Sequence, residues 1–152
     1  GKIIGGSAYN VIAEKVNILG TVRCTNLNLF DNLGQWLNEN ITSIANHCGA
    51  EAIVKFRKIT PPVNNDSEIN RVIRESTLKL FGYENLVELQ KPSLGAEDFA
   101  EFLNYVPGAM FRLGVSGNFG CSPLHSAEFN PDEKAIKTGI ELLADIIVEL
   151  NN

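Results

Sequence analysis

Histidine is scarce in this chain. Only His47 and His125 occur among 152 residues, so a metal site built from this sequence alone must rely mainly on carboxylates. Cysteine is scarce too: Cys24, Cys48 and Cys121 lie far apart and form no C-x-x-C pair. An odd count at such spacing predicts reduced, mostly buried thiols and a cytoplasmic setting, because a secreted chain of this size pairs its cysteines. No apolar run approaches the roughly 18 residues of a membrane span, and the N-terminus lacks the basic, apolar, small-residue order of a signal peptide. Basic charge is also short, with 13 Lys and Arg against 18 Asp and Glu and a net charge of −5. Without a Lys/Arg cluster there is no basic face for a nucleic-acid backbone. What remains is 44% hydrophobic and 20% charged, the profile of one or two small globular domains with an apolar core. The chain opens on Gly1 and runs straight into Lys2-Ile3-Ile4, which suggests a piece of something longer.

Periodicity orders the first part. Ile3, Ile4, Tyr9, Val11 and Ile12 around Gly5-Gly6 predict a strand with a glycine bulge. Val16, Ile18, Val22 and Cys24 alternate with Lys15, Asn17, Thr21 and Arg23, the period-2 pattern of a half-buried strand, so the two predict a hairpin. Leu29, Leu33, Trp36, Leu37, Ile41, Ile44, Ala45 and Cys48 recur at helical spacing, with Asp31 expected in the first turn, His47 in the last and Gly49 just past the end. Ala52, Val54 and Phe56 alternate again until Pro61-Pro62 stops the ladder.

The texture then changes. Asn65 with Glu68 reads as a capping box for a helix carrying Ile69, Val72, Ile73, Leu78, Leu80 and Phe81 and closed by Gly82. Leu86–Leu89 is a short strand candidate, Ser93–Asp98 a loop feeding a short helix, and Ala109–Val115 a buried strand, followed by a polar, glycine-rich loop over 116–123. Asn130 as N-cap, Pro131 and Glu133 open a last helix whose Ile136, Ile140, Leu143, Ile147 and Leu150 form one stripe. The fold class is α/β. The first part resembles a β-α-β-β-α-β split motif without its first strand and helix.

Locally, each candidate site residue admits two readings. His125, between a flexible loop and a helix, is either a metal ligand or a solvated loop side chain. Glu97 and Asp98 either line a site or complement the dipole of the helix they precede. Arg23 either grips a carboxylate through its planar fork or is a solvated strand residue. Asn10 either donates to a developing oxyanion or satisfies a turn. Cys121, near His125 in sequence, has no basic neighbour to activate it.

The order of motifs adds what local chemistry leaves open. Gly5-Gly6-Ser7-Ala8-Tyr9-Asn10-Val11-Ile12, Leu19-Gly20-Thr21-Val22-Arg23, Gly95-Ala96-Glu97-Asp98-Phe99, Val106-Pro107-Gly108-Ala109-Met110-Phe111, Leu124-His125-Ser126 and Phe129-Asn130-Pro131-Asp132-Glu133 resemble, in order, the metal-dependent aminoacylase and carboxypeptidase family. The Ala-Glu-Asp-Phe variant is similar to the hippurate and indole-acetyl-amino-acid amidohydrolases. The chain departs from the family at Ala13, where a proline is usual, and at Ala127-Glu128, where Pro-Arg is common; neither change removes a functional atom.

The resemblance implies a ferredoxin-like lid piece over 1–62 and the C-terminal part of a zinc-peptidase-like α/β catalytic domain over 63–152. It implies hydrolysis of the amide bond of N-acyl amino acids or small peptides, two divalent metal ions (zinc or manganese) in the full-length enzyme, and a homodimer formed through the lid. By the same resemblance His125 is a metal ligand, Asn10 polarises the scissile carbonyl, Arg23 holds the substrate carboxylate, and Glu97 and Asp98 line the substrate site. The other metal ligands and the general base fall upstream of this sequence, so the expectation is a segment that binds no metal pair stably by itself and is inactive alone. A non-catalytic self-association module is the alternative expectation.

Overall fold

The computed structural model describes residues 1–118 and 120–152. Position 119, within the glycine-rich loop expected over 116–123, lies outside the described residues. The chain forms two compact units, Gly1–Arg57 and Lys58–Asn152.

In the first unit, β1 (Lys2–Gly5) and β2 (Val16–Leu19) form an antiparallel hairpin in which Ile3 faces Ile18 and Gly5 faces Val16. Both strands are shorter than their apolar patterns suggest. Gly6, at φ 74°, turns the chain out of the ladder, and Ala8–Val11 closes a turn through Val11 N–H to Ala8 C=O at 3.3 Å. All residues of both strands are exposed. Helix α1 (Leu27–His47) begins earlier than expected, because Asn26 Oδ1 accepts the Leu29 N–H at 2.9 Å; Asp31 therefore falls beyond the first turn, while His47 does lie in the last. At the other end Gly49 takes φ 71°, Ala50 N–H reaches Ala45 C=O at 2.9 Å and Gly49 N–H reaches Asn46 C=O at 3.0 Å. That pair of bonds is a Schellman cap, and the positive φ is why glycine stands there. The segment Ala52–Phe56 keeps its alternation, with Ala52 and Val54 half-buried and Ile53 exposed, but it joins no ladder, since among the described residues only β1 and β2 pair as strands. Phe56 lies instead against Gly34 of α1, where an added Cβ would come within 2.7 Å of Phe56 Cδ1.

The second unit is built on α2 (Ser67–Phe81) and α4 (Lys134–Leu150), with a 3-10 turn Tyr83–Asn85 and the short α3 (Phe99–Phe102) between them. Ile73, Leu142 and Ile146 form the core, with Ile69, Val72, Phe81, Ala109 and Phe111 packed on it. Full burial of such side chains is worth about 1.5–3 kcal/mol each. Asp66, not Asn65, caps α2, its Oδ1 accepting the N–H groups of Glu68 and Ile69 at 2.9 and 3.0 Å. The segment 109–115, expected as a buried strand, is half-buried to exposed and joins no ladder among the described residues. Gly108 and Met110 bond instead to the loop before α2, through Asp66 N–H to Gly108 C=O at 2.8 Å and the Asn65 carboxamide to Met110. Leu86–Leu89 likewise forms no ladder: Val87 and Leu89 are exposed, and Glu88 pairs with Arg74 of α2.

Helix α4 departs from its pattern in a telling way. Its buried positions are Gly139, Leu142 and Ile146, whereas the expected stripe of Ile136, Ile140, Leu143, Ile147 and Leu150 is largely exposed. The helix is apolar on more than one face, and the side chains that α2 can reach, with Leu113 over Gly139, decide which face is covered. Polar contacts fix the same pairing. Lys79 Nζ of α2 lies 2.8 Å from both Asp145 Oδ1 and Glu149 Oε1 of α4. Those two hydrogen bonds hold the ammonium protonated above its usual range, and Lys79, followed by the Ser76 hydroxyl, holds the Asp145 carboxyl below its own. Ser76 Oγ and Asp145 Oδ2 are both buried short of formed hydrogen-bond geometry, so Lys79 supplies the firm contact.

Candidate functional site

The site residues expected in the first unit sit on its loops. Asn10 is the third residue of the exposed turn Ala8–Val11, a position that suits an asparagine. Arg23 was expected on a strand; β2 ends at Leu19, so Arg23 lies on the exposed stretch between that strand and α1.

In the second unit, Glu97 and Asp98 are exposed and immediately precede α3. Their carbonyls accept the first N–H bonds of that turn, Ala100 to Glu97 at 3.1 Å and Glu101 to Asp98 at 3.0 Å. The Asp98 side chain makes no cap bond, so the carboxylate is not used to close the helix. A cleft of about 330 Å³ lies nearby, lined by Asn64, Asp66 and the run Leu103–Gly108, and none of the candidate residues borders it.

His125 has the most distinctive geometry. Ser126 N–H bonds Pro123 C=O at 3.2 Å, which makes Leu124 and His125 the central residues of an exposed turn, and His125 takes φ 66°. Among the described residues it is the one non-glycine residue at positive φ. That conformation costs an ordinary L-residue roughly 1–2 kcal/mol, and such residues cluster where a side chain must be aimed for function. A type II turn requires positive φ at this third position, and histidine tolerates it better than most. Neither the turn nor the strain has a signal in the sequence, which lacks the glycine that would announce it.

Asp132 and the surroundings of the three cysteines also escape sequence reasoning. The start of α4 is set not by Asn130 but by Asp132, whose Oδ1 accepts the Lys134 N–H at 3.0 Å. The thiols also differ from expectation: Cys24 and Cys121 are half-buried and Cys48 is exposed, all three free.

The donor chemistry bears on the two-metal expectation. Among the described residues no group of three His, Cys, Asp or Glu side chains could hold a metal ion. These described residues by themselves therefore do not fit a dinuclear site, and His125 is a single candidate donor.

The sequence profile of peptidase family M20/M25/M40 matches residues 4–149, and the chain belongs to that family. It is 40% identical over 148 residues to a probable hydrolase of Synechocystis sp., covering 95% of this chain and 37% of that protein. It is 32% identical over 143 residues to an N-acetyldiaminopimelate deacetylase of Bacillus cytotoxicus, covering 94% and 37% respectively. Among solved structures it matches the YXEP protein of Bacillus subtilis, a dinuclear metal binding peptidase from the M20 family, with a TM-score of 0.84 and 26% identity over 99% of this chain and 40% of that one. The chain thus spans well under half the length of the relatives it matches.

Proposed function

We propose that this chain is the C-terminal portion of a metal-dependent amidohydrolase that cleaves the amide bond of N-acyl amino acids or small peptides. The observation that carries the proposal is His125, held at φ 66° at the tip of an exposed turn in a chain of the M20/M25/M40 family. In this reading His125 supplies one ligand to a pair of divalent ions, zinc or manganese, whose other ligands and general base come from protein outside this sequence. The deacetylase among the relatives and the dinuclear metal binding peptidase support that chemistry. Asn10 polarises the scissile carbonyl, Arg23 holds the substrate's free carboxylate through a bidentate fork, and Glu97 and Asp98 line the substrate site. Residues 1–62 are then the back part of a lid and 63–152 the end of the catalytic domain. Alone, the chain is inactive. Replacing His125 by Ala in the full-length enzyme should lower hydrolysis by more than about a hundredfold, and near-normal turnover would overturn the assignment.

A second reading, self-association through the first unit, is favoured by one feature. The apolar residues Ile3, Ile18 and Leu19 of β1 and β2 are exposed at 73, 75 and 55%, and exposed apolar strands with unpaired edges invite pairing with another copy. A homodimer formed through the lid is the corresponding proposal for the whole enzyme. Sedimentation of an Ile3→Lys, Ile18→Lys variant should give a smaller species than the unmodified protein, and an unchanged sedimentation coefficient would count against it.

A further inference from the structure

His125 belongs to the loop between Val115 and α4, and among the described residues Asp132 closes the base of that loop. Asp132 donates its N–H to Val115 C=O at 2.8 Å, its C=O accepts the Ala135 N–H at 3.0 Å, and its Oδ1 accepts the Lys134 N–H at 3.0 Å. The rest of its side chain lies on Gly117: a Cβ added there would come 3.0 Å from Asp132 Oδ2 and 3.3 Å from Asp132 Cβ. One side chain therefore binds the first turn of α4 and at the same time rests on the outgoing limb of the loop. Gly117 is needed for that approach and not for its backbone, since its φ is not positive.

Among the described residues inside the loop, the hydrogen bonds are local. Gly120 N–H reaches Gly117 C=O at 3.0 Å, Ser126 N–H reaches Pro123 C=O at 3.2 Å, Glu128 N–H reaches Ser126 Oγ at 3.1 Å and Phe129 N–H reaches Ser126 C=O at 3.1 Å. These bonds shape the turn that holds His125 at positive φ. A strained φ persists only where the surroundings over-determine it, and among the hydrogen bonds of the described residues the one that ties the two ends of the loop together is Asp132 N–H to Val115 C=O.

We infer that Asp132 is a positioning residue: by closing the base of the loop between Val115 and α4 it fixes where the His125 imidazole is presented. Its importance for turnover rests on the proposed role of His125; the closure itself does not. Asp132 touches no reacting group and acts through His125 alone. Asparagine keeps the side-chain oxygen and the backbone groups, so Asp132→Asn should preserve the closure, whereas Asp132→Ala loses the cap and the surface on which Gly117 rests. Gly117→Ala attacks the same contact from the other side, by adding a methyl group that Asp132 obstructs.

The test uses the full-length metal-loaded enzyme, with amide hydrogen exchange and steady-state kinetics measured on Asp132→Ala, Asp132→Asn, Gly117→Ala and the Gly117→Ala, Asp132→Ala double variant. Expected are at least tenfold faster exchange at the Asp132, Gly120 and Ser126 amides in Asp132→Ala, no change at Ile73 or Leu142, and wild-type exchange in Asp132→Asn. In Asp132→Ala kcat should fall about tenfold, with KM within about twofold, after normalisation for folded protein. Adding Gly117→Ala to Asp132→Ala should cost less than adding it to the wild type, because the obstructing carboxylate is gone. Unchanged loop exchange in Asp132→Ala, or additive effects in the double variant, overturns the closure. Faster exchange with unchanged kcat overturns the positioning role. Loss of the proposed function is read separately, from His125→Ala: if that variant turns over normally while the exchange results hold, the hydrolase reading fails and the closure stands.

Discussion

Asn65 grips Met110 by both backbone groups: its Nδ2 donates to the Met110 carbonyl at 2.9 Å, and its Oδ1 accepts the Met110 N–H at 2.9 Å. A carboxamide has one donor face and one acceptor face with nearly the geometry of a peptide, so this side chain stands in for the strand neighbour that Ala109–Val115 lacks. Asp66, next along, bonds Gly108 and caps α2, so the two adjacent residues tie the segment around Met110 to the helix that packs on it.

Asn65→Ala removes both bonds and leaves two part-buried backbone groups unpaired. The expected loss is about 1–3 kcal/mol, measured as a fall in the urea midpoint at constant slope. Asn65→Asp should recover little, because a carboxylate cannot donate to the Met110 carbonyl. A midpoint unchanged by either variant would show that the segment is held by Phe111 packing alone.

The Lys79–Asp145–Glu149 cluster gives stability a pH dependence at both extremes. Asp145 is held below its ordinary value of 3.8, so its contribution is present above that pH and is lost as pH falls through the lower folded value. Lys79 is held above its ordinary value of 10.5, so its contribution is complete below pH 10.5 and is lost as pH rises through the folded value. Thermal melts of Lys79→Met against wild type should therefore differ by a constant amount near neutrality and converge at both ends. Because Lys79 is more than half exposed, the difference should shrink in high salt. Parallel acid limbs in the two proteins would contradict the coupling.

Gly34 leaves room for Phe56. An alanine Cβ would come within 2.7 Å of the Phe56 ring, and such overpacking costs typically about 1–3 kcal/mol. Gly34→Ala should lower the stability of the first unit despite alanine's better helix propensity. In a Phe56→Leu background the penalty should shrink or reverse in sign; a Gly34→Ala variant more stable than wild type would refute the contact.

His125 should be worth more to function than to stability. Glycine at this position relieves the positive φ, so His125→Gly is expected to be at least as stable as His125→Ala, by about 1 kcal/mol after the entropy cost of glycine. Both should abolish hydrolysis in the full-length enzyme. An alanine variant more stable than the glycine one would mean that the turn relaxes when the imidazole is removed.

Capping and termination were the most legible features in the sequence. Gly49 stands past the end of α1 and Gly82 past the end of α2, as their spacing implies, because a C-terminal glycine is a local requirement of backbone conformation. N-caps were legible only to within a residue or two: Asn65 and Asp66 are both good caps in isolation, and Asp66 takes the role because Asn65 is engaged by Met110. Strands were the least legible. Val54 and Val115 belong to segments of strand-like composition, but a ladder needs a neighbour, and apolar alternation carries no information about which neighbour arrives. For the site, the order of motifs pointed to His125 and the family, while the turn that displays His125 and the Asp132 closure gave no sign of themselves.

By itself the sequence determined composition, charge, the long helices and the glycines that end the first two of them, the hairpin and the family. These follow from local propensity and from motif order, both of which are written along the chain. Tertiary structure alone decided which face of α4 is buried, with Leu142 and Ile146 covered and Ile140 and Ile147 exposed. It also decided that Lys79 bridges to Asp145 and that His125 is displayed on a strained turn. The physical reason is the same in each case. A helix with apolar residues on several faces, a charge with several possible partners and a loop with no glycine at its bend all have more than one acceptable local state, and only contacts between distant residues choose among them.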